Sequence, residues 1–216
     1  MAEVLDLPHV AARDLEEMLP PASTALVVVD IQNDFAAAEG LVGRFGVDLD
    51  PIEAVIDRIE AMIAAARKVG VTIAFMRVVT RPETDSTALK TLMARRGSGG
   101  GEAICRAGQP GADYYRLFPE SGDIEIEKLL FDSFHGTDLD DQLKARKIDT
   151  VVMTGITTEC CVDSTARGAF HRGYNVFVVS DACAAYEPGL HTGSLLALQK
   201  NLALLTTAQD VMEAWS

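Results

Sequence analysis

The sequence predicts a single three-layer α/β domain, a central parallel sheet of about six strands with helices on both faces. Three observations carry the prediction. Short apolar, β-branched runs alternate with helical stretches along the chain. The run Thr24–Val29 is apolar at both odd and even positions, as a strand covered on either side must be. The 216 residues and 48% hydrophobic content suit one core.

The elements follow in order. Residues 1–22 read as an N-terminal extension, with one short helix between His9 and Met18 ended by Pro20-Pro21. Its Leu15 and Met18 are expected to pack on the body or on a neighbouring subunit, and His9 to face solvent. The domain proper is residues 23–216. Its first strand ends in Asp30, at the carboxyl edge where open α/β sheets bind ligands. The same residue equally suits a cap on the next turn. Residues 36–50 form a loop rich in Ala and Gly. From Pro51 to Lys68, Ile52, Val55, Ile56, Ile59, Met62 and Ile63 recur at helical spacing, and Gly70 supplies the stop. Val71 to Arg77 is the second strand.

Residues 80–123 are the least regular part, with a helical stretch over Thr87–Arg95, a glycine run at 96–101 and a turn at Gln109–Gly111. An excursion of this length suits a lid or binding loop. The glycine run lacks the Gly-Lys-Ser/Thr ending of a phosphate loop. Asp123 to Lys128 alternates like a strand. Thr137 caps a helix from Asp138 to Arg146, with Asp140 and Asp141 near its positive end. Asp149 to Met153 is the next strand, leading through a small-residue turn into a helix from about Glu159 to Arg172. Tyr174 to Ser180 is a strand, Asp181 to Gly189 a loop, Leu190 to Lys200 a helix, Leu202 to Leu205 an edge strand and Ala208 to Trp215 a final helix.

The net charge of −13 and pI near 4.6 argue against nucleic acid and anionic membrane surfaces as partners. No apolar run reaches bilayer length, and the first residues lack the basic-then-apolar pattern of a signal peptide. Four cysteines, Cys105, Cys160, Cys161 and Cys183, show no metal-ligand spacing. Free thiols in a cytoplasmic protein are the expectation.

Asp30, Lys128 and the turn carrying Cys161 each follow the carboxyl end of a predicted parallel strand, so the three side chains can meet along one edge. Cys161 stands at a helix start, where the dipole favours a thiolate. The trio suits attack of sulfur on a carbonyl: the carboxylate moves the thiol proton, the lysine holds the carboxylate ionised, and backbone N–H groups at the turn receive the oxyanion.

These stretches resemble the isochorismatase-like cysteine hydrolase superfamily over roughly residues 23–210. The resemblance rests on Val28-Val-Asp-Ile-Gln-Asn-Asp-Phe35, Glu127-Lys128 with Ser133-Phe134 and Gly136-Thr-Asp-Leu139, Thr154-Gly-Ile-Thr-Thr-Glu-Cys-Cys161-Val-Asp-Ser-Thr-Ala166, Gly173-Tyr-Asn-Val176 and Ser180-Asp-Ala182. It implies a Rossmann-like fold and an Asp30–Lys128–Cys161 triad. Cys161, not Cys160, precedes Val and stands four residues before Thr165-Ala166. It further implies a cis peptide at Ile156–Thr157 and an oxyanion hole made by the N–H groups of Thr157 and Cys161. Nicotinamidases of this superfamily carry an Asp-x-His metal site after the second strand, where this chain has Met76-Arg-Val-Val-Thr-Arg81. No metal and no cofactor are therefore expected. What remains resembles the hydrolases of small linear amides and ureides: N-carbamoylsarcosine, ureidoacrylate, biuret and maleamate. Candidate substrate contacts are Phe35, Arg77, Phe131, Phe134 and Ile156, with Arg81 beside them; His135, His171 and His191 are assigned structural places. The resemblance implies a homo-oligomer, dimer or tetramer. Two other readings stay open: ether hydrolysis of the isochorismatase kind, and a non-catalytic binding protein.

Overall fold

The computed structural model describes residues 7–100 and 103–216. Six strands, β1 (Thr24–Val29), β2 (Thr72–Val78), β3 (Ile124–Lys128), β4 (Thr150–Ile156), β5 (Asn175–Ala184) and β6 (Leu204–Thr206), form one sheet in the order β3-β2-β1-β4-β5-β6. Every neighbouring pair is parallel. The direction of winding reverses between β1 and β4, which opens a crevice beyond their carboxyl ends.

The apolar character of β1 at every position follows from its place. Leu26 and Val28 pack with Ile52, Ile56 and Ile59 of α3 (Asp50–Val69) on one face, while Ala25, Val27 and Val29 join the other core with Leu139, Val162 and Ala166. That second face is covered by α5 (Leu139–Ala145), α6 (Asp163–Phe170) and α7 (Pro188–Asn201). The edge strand β3 buries Ile124, Ile126 and Lys128 and exposes Glu125 and Glu127, so its sequence alternates.

The N-terminal helix α1 (Ala12–Met18) packs on the C-terminal α8 (Ala208–Ala214). Leu15 is fully buried in the body's own core, and Met18 is exposed. Trp215 Nε1 donates to Leu19 O at 3.3 Å, tying the two ends together. Of the body and a neighbouring subunit, the two places expected for Leu15 and Met18, Leu15 takes the body's core and Met18 does not. His9 is exposed, and its Nε2 lies 2.7 Å from Ser180 Oγ.

Three segments differ from the sequence-based expectation. The loop at 36–50 is flanked by a short helix α2 (Asn33–Ala36) and contains a 3-10 turn, Gly43–Phe45. The strand β5 runs on to Ala184, absorbing the first half of the expected loop, because a register shift opposite Met153 and Gly155 lengthens it relative to β4. The stretch after β4 begins as a π-turn, Thr158–Val162, before α6 starts at Asp163. Gly155 is required here: its φ is +112°, and a Cβ would collide with the backbone of Val29.

The 80–123 excursion is anchored at its ends. Buried Gln32 donates from Nε2 to Val78 O and Ala112 O, each at 2.9 Å, and accepts from Val78 N at 2.7 Å. Arg106 makes a two-pronged pair with Asp85, both contacts at 2.6 Å. Between these lies α4 (Thr87–Arg95), capped by Ser86 and carrying no buried residue. Among the described residues no helix is long and apolar enough to cross a membrane.

Candidate active site

The site forms where the winding reverses. Asp30 follows the last residue of β1 with φ +54°, a left-handed turn that directs the chain away from the sheet. Cys161 lies in the π-turn after β4. Lys128 is the last residue of β3, two strands away from β1, and shares the inward face with Ile124 and Ile126. Its long side chain spans that gap: Nζ donates to Asp30 Oδ2 at 2.7 Å. The same ammonium donates to Leu130 O at 2.9 Å and Phe131 O at 3.2 Å, so all three of its donors have acceptors. Side-chain exposure is 0% for Lys128 and 1% for Asp30. A buried ion pair is tolerated only with such saturation.

Asp30 Oδ1 has no hydrogen-bond partner of the kind that satisfies Oδ2. The neighbouring Cys161 thiol favours the ionised carboxylate. Burial lifts the Asp30 carboxyl above its usual range, and the Lys128 charge opposes that rise without cancelling it. For Lys128, burial works against the charge, but Asp30 and Cys161 outweigh it and raise the ammonium to about 12. The result is a lysine held cationic beside a carboxylate of enhanced basicity.

The Cys161 thiol is pushed up, first by its hydrogen bond with Cys160, then by burial and the Asp30 charge, with Lys128 opposing. The Cys160 hydrogen bond, burial and the facing carboxylate thus act against the helix end that the sequence places beside this sulfur. A neutral thiol beside a partnerless carboxylate oxygen requires proton transfer during attack.

The turn is braced from outside. Thr158 Oγ1 lies 2.8 Å from His191 Nδ1 on α7, and Ser194 Oγ donates to Thr158 O at 3.2 Å and to Asp163 Oδ2 at 2.9 Å. His191 thus has a structural partner, and its burial lowers its pKa. The Ile156–Thr157 peptide is cis.

Asp30, Thr157, Cys160 and Cys161 open on a cavity of about 210 Å³. Of the five candidate contacts, Phe35, Phe131 and Ile156 line it. Arg77 and Phe134 do not, which corrects the sequence-based expectation. Arg77 Nη2 bonds Glu127 Oε1 at 2.7 Å, and its guanidinium lies 5.2 Å from the Tyr114 ring centroid. Parity explains it: Arg77 shares the face of its register partner Glu127, not that of Lys128. Arg81 closes on the other oxygen of Glu127 at 3.0 Å. Phe134 is buried in the core, 5.8 Å from the Tyr174 ring and beneath Arg172. The cavity also takes residues that the sequence did not single out: Leu89 and Met93 of α4, and Tyr186, whose hydroxyl donates to Phe35 O at 2.7 Å. Tyr186 follows the carboxyl end of β5, so the strand-end rule could have found it. Among the described residues no cluster of three His, Cys, Asp or Glu side chains is arranged to hold a metal ion.

A strand-end carboxylate locked by a lysine thus shares one cavity with a cysteine in a turn, at the carboxyl edge of an α/β sheet. Residues 24–210 match the isochorismatase domain, and the chain belongs to that family. It is 36% identical over 194 residues to the ureidoacrylate amidohydrolase of Methylobacterium radiotolerans, covering 84% of this chain and 75% of that one. A cysteine hydrolase structure from Pseudomonas syringae pv. phaseolicola superposes with a TM-score of 0.77 at 26% identity, covering 98% of each chain. The N-carbamoylsarcosine amidase of Thermoplasma acidophilum gives 0.69 at 27% identity, covering 86% of this chain and 96% of its own.

Proposed function

We propose that the protein hydrolyses the C–N bond of a small linear amide or ureide through a thioester on Cys161. One observation carries the reading: Asp30 has one oxygen fixed by Lys128 at 2.7 Å and the other without a hydrogen-bond partner, beside a thiol on the same cavity. The amidohydrolase relatives support the choice of bond.

Asp30 takes the proton of Cys161 as sulfur attacks the carbonyl carbon. The N–H groups of Thr157 and Cys161 hold the oxyanion. The tetrahedral adduct collapses, the C–N bond breaks, and Asp30 returns the proton to nitrogen, which leaves as ammonia. Water then attacks the thioester, or the thiocarbamate where the substrate is a ureide, and gives a proton to Asp30. The C–S bond breaks, and that proton restores the thiol. The products are ammonia and the carboxylic acid, or the carbamic acid where the substrate is a ureide. Lys128 stays cationic throughout and keeps Asp30 ionised between steps. A carboxylate acting in both directions is expected to supply about 10²–10⁴-fold of the acceleration.

In this reading, residues 23–216 are the catalytic domain and 1–22 its extension, and the enzyme works as a cytoplasmic homo-oligomer. The four unpaired cysteines are consistent with a reducing compartment. The test is ammonia release from a panel of primary amides and ureides, wild type against Cys161→Ala. Release that depends on Cys161 is the expected result; equal release from both proteins overturns the proposal.

A further inference from the structure

We propose that the cavity selects an uncharged, apolar substituent on the scissile amide, so that neutral alkyl or aryl amides and ureides are its substrates and carboxylate-bearing ones are rejected; this rests on the amide-hydrolase reading above. The cavity wall carries the apolar side chains of Phe35, Val42, Leu89, Met93, Ile104 and Phe131. Three hydroxyls on it have protein partners. Thr80 Oγ1 donates to Ile104 O at 2.6 Å, Tyr186 to Phe35 O at 2.7 Å, and Thr157 Oγ1 to Glu159 Oε1 at 3.1 Å.

Three arginines around this end of the sheet are committed to carboxylates: Arg77 and Arg81 to Glu127, Arg106 to Asp85. Among the described residues, the one charged side chain on the cavity wall is Asp30. A second negative group stands close. Glu159 Oε2 is buried without a hydrogen-bond partner, and Glu159 adjoins Cys160 of the wall in the chain. A carboxylate entering about 210 Å³ of such space would lose its hydration and meet no side-chain cation among the described residues of the wall, the Lys128 ammonium being committed to Asp30. An alkyl or aryl group would lose only unfavourable contact with water.

Two isosteric pairs test this in the intact protein. 4-Methylpentanamide and succinamate differ by two methyl groups against two carboxylate oxygens, and isopentylurea and 3-ureidopropionate differ in the same way. The neutral member is expected to show kcat/KM at least about 100-fold above its anionic partner. Met93→Arg, which places a cation on a half-exposed helix facing the cavity, is expected to reduce that ratio below about tenfold. Equal or better turnover of the carboxylate members by wild type overturns the inference and leaves amide hydrolysis standing.

A second measurement is independent of turnover: alkylation of Cys161 by neutral iodoacetamide and anionic iodoacetate. Each rate is divided by that of N-acetylcysteine amide, and the site is assigned by peptide mapping. A normalised preference for the neutral reagent of at least about tenfold is expected from an apolar, negatively flanked cavity. If no amide is cleaved but this preference holds, the hydrolysis reading fails and the cavity inference stands. No preference, or no labelling of Cys161 by either reagent, overturns it.

Discussion

The inner end of the cavity rests on strand ends, its outer end on the 80–123 excursion, and the two differ in how tightly their side chains are held. At the inner end Lys128 and Asp30 are sealed from solvent, and the lysine donates to three acceptors. At the outer end α4 contributes Leu89 and Met93 from a helix with no buried residue. The proposed mechanism needs the trio to keep its geometry through the cycle, and the elements that carry it are fixed by the sheet. A wall that only excludes water and fits a substituent can be carried by a segment that packs lightly. Changes at the inner end are therefore expected to remove chemistry or unfold the protein, and changes at the outer end to alter only affinity.

Substitution of the sulfur has the largest expected effect. Cys161→Ala should lower kcat by at least about 10³-fold with little change in Tm, measured by ammonia release and thermal melting. Cys160→Ala, one residue away on the same wall, should keep most of the turnover; comparable losses in both variants would break the assignment of the nucleophile.

Next comes the ion pair. Lys128→Met leaves a buried carboxylate without its cation and should cost about 3–5 kcal/mol in chemical denaturation. Asp30→Asn in the same chain should recover much of that stability and none of the activity, separating fold from chemistry. The pH dependence has a definite sign. Lys128 is raised in the folded state from 10.5 to about 12, so its contribution to stability is complete below pH 10.5 and is lost as pH rises through about 12. Lys128→Met should lack that alkaline loss.

A smaller effect concerns the pH–rate profile. Protonated Asp30 cannot accept the thiol proton, so kcat/KM should rise with pH on an acid limb whose midpoint lies above the ordinary carboxyl value of 3.8. An acid limb at or below that value would mean that burial does not tune this carboxylate. The smallest effect belongs to the outer wall. Leu89→Ala and Met93→Ala should each raise KM by about 3–10-fold with kcat nearly unchanged and stability within about 0.5 kcal/mol.

The same contrast explains what the sequence revealed. The sheet was legible because each strand has a local pattern: unbroken apolar residues in covered β1 and alternation in edge strand β3. Asp30 and Cys161 were legible because each follows a strand end on either side of the winding reversal. Lys128 carried a sharper signal than its strand-end position alone, since it occupies the inward register after Ile124 and Ile126. Arg77 misled because a strand-end position does not specify a face, and its register partner is the exposed Glu127. The excursion reads as irregular in the sequence because its order comes from contacts distant along the chain. Gln32 holds Ala112 from 80 residues away, and Asp34 Oδ2 accepts from Cys105 N at 2.7 Å. The cavity roles of Leu89, Met93 and Tyr186 depend on that placement.

The central claim is that C–N cleavage passes through a covalent bond to Cys161. Its most direct measurement is acid-quenched mass spectrometry of the protein during turnover of an accepted amide, followed by peptide mapping. The account predicts an acyl adduct on the peptide at Cys161 that forms and decays with ammonia release and is absent in Cys161→Ala. Steady ammonia release with Cys161 unmodified, and continuing in Cys161→Ala, would contradict it.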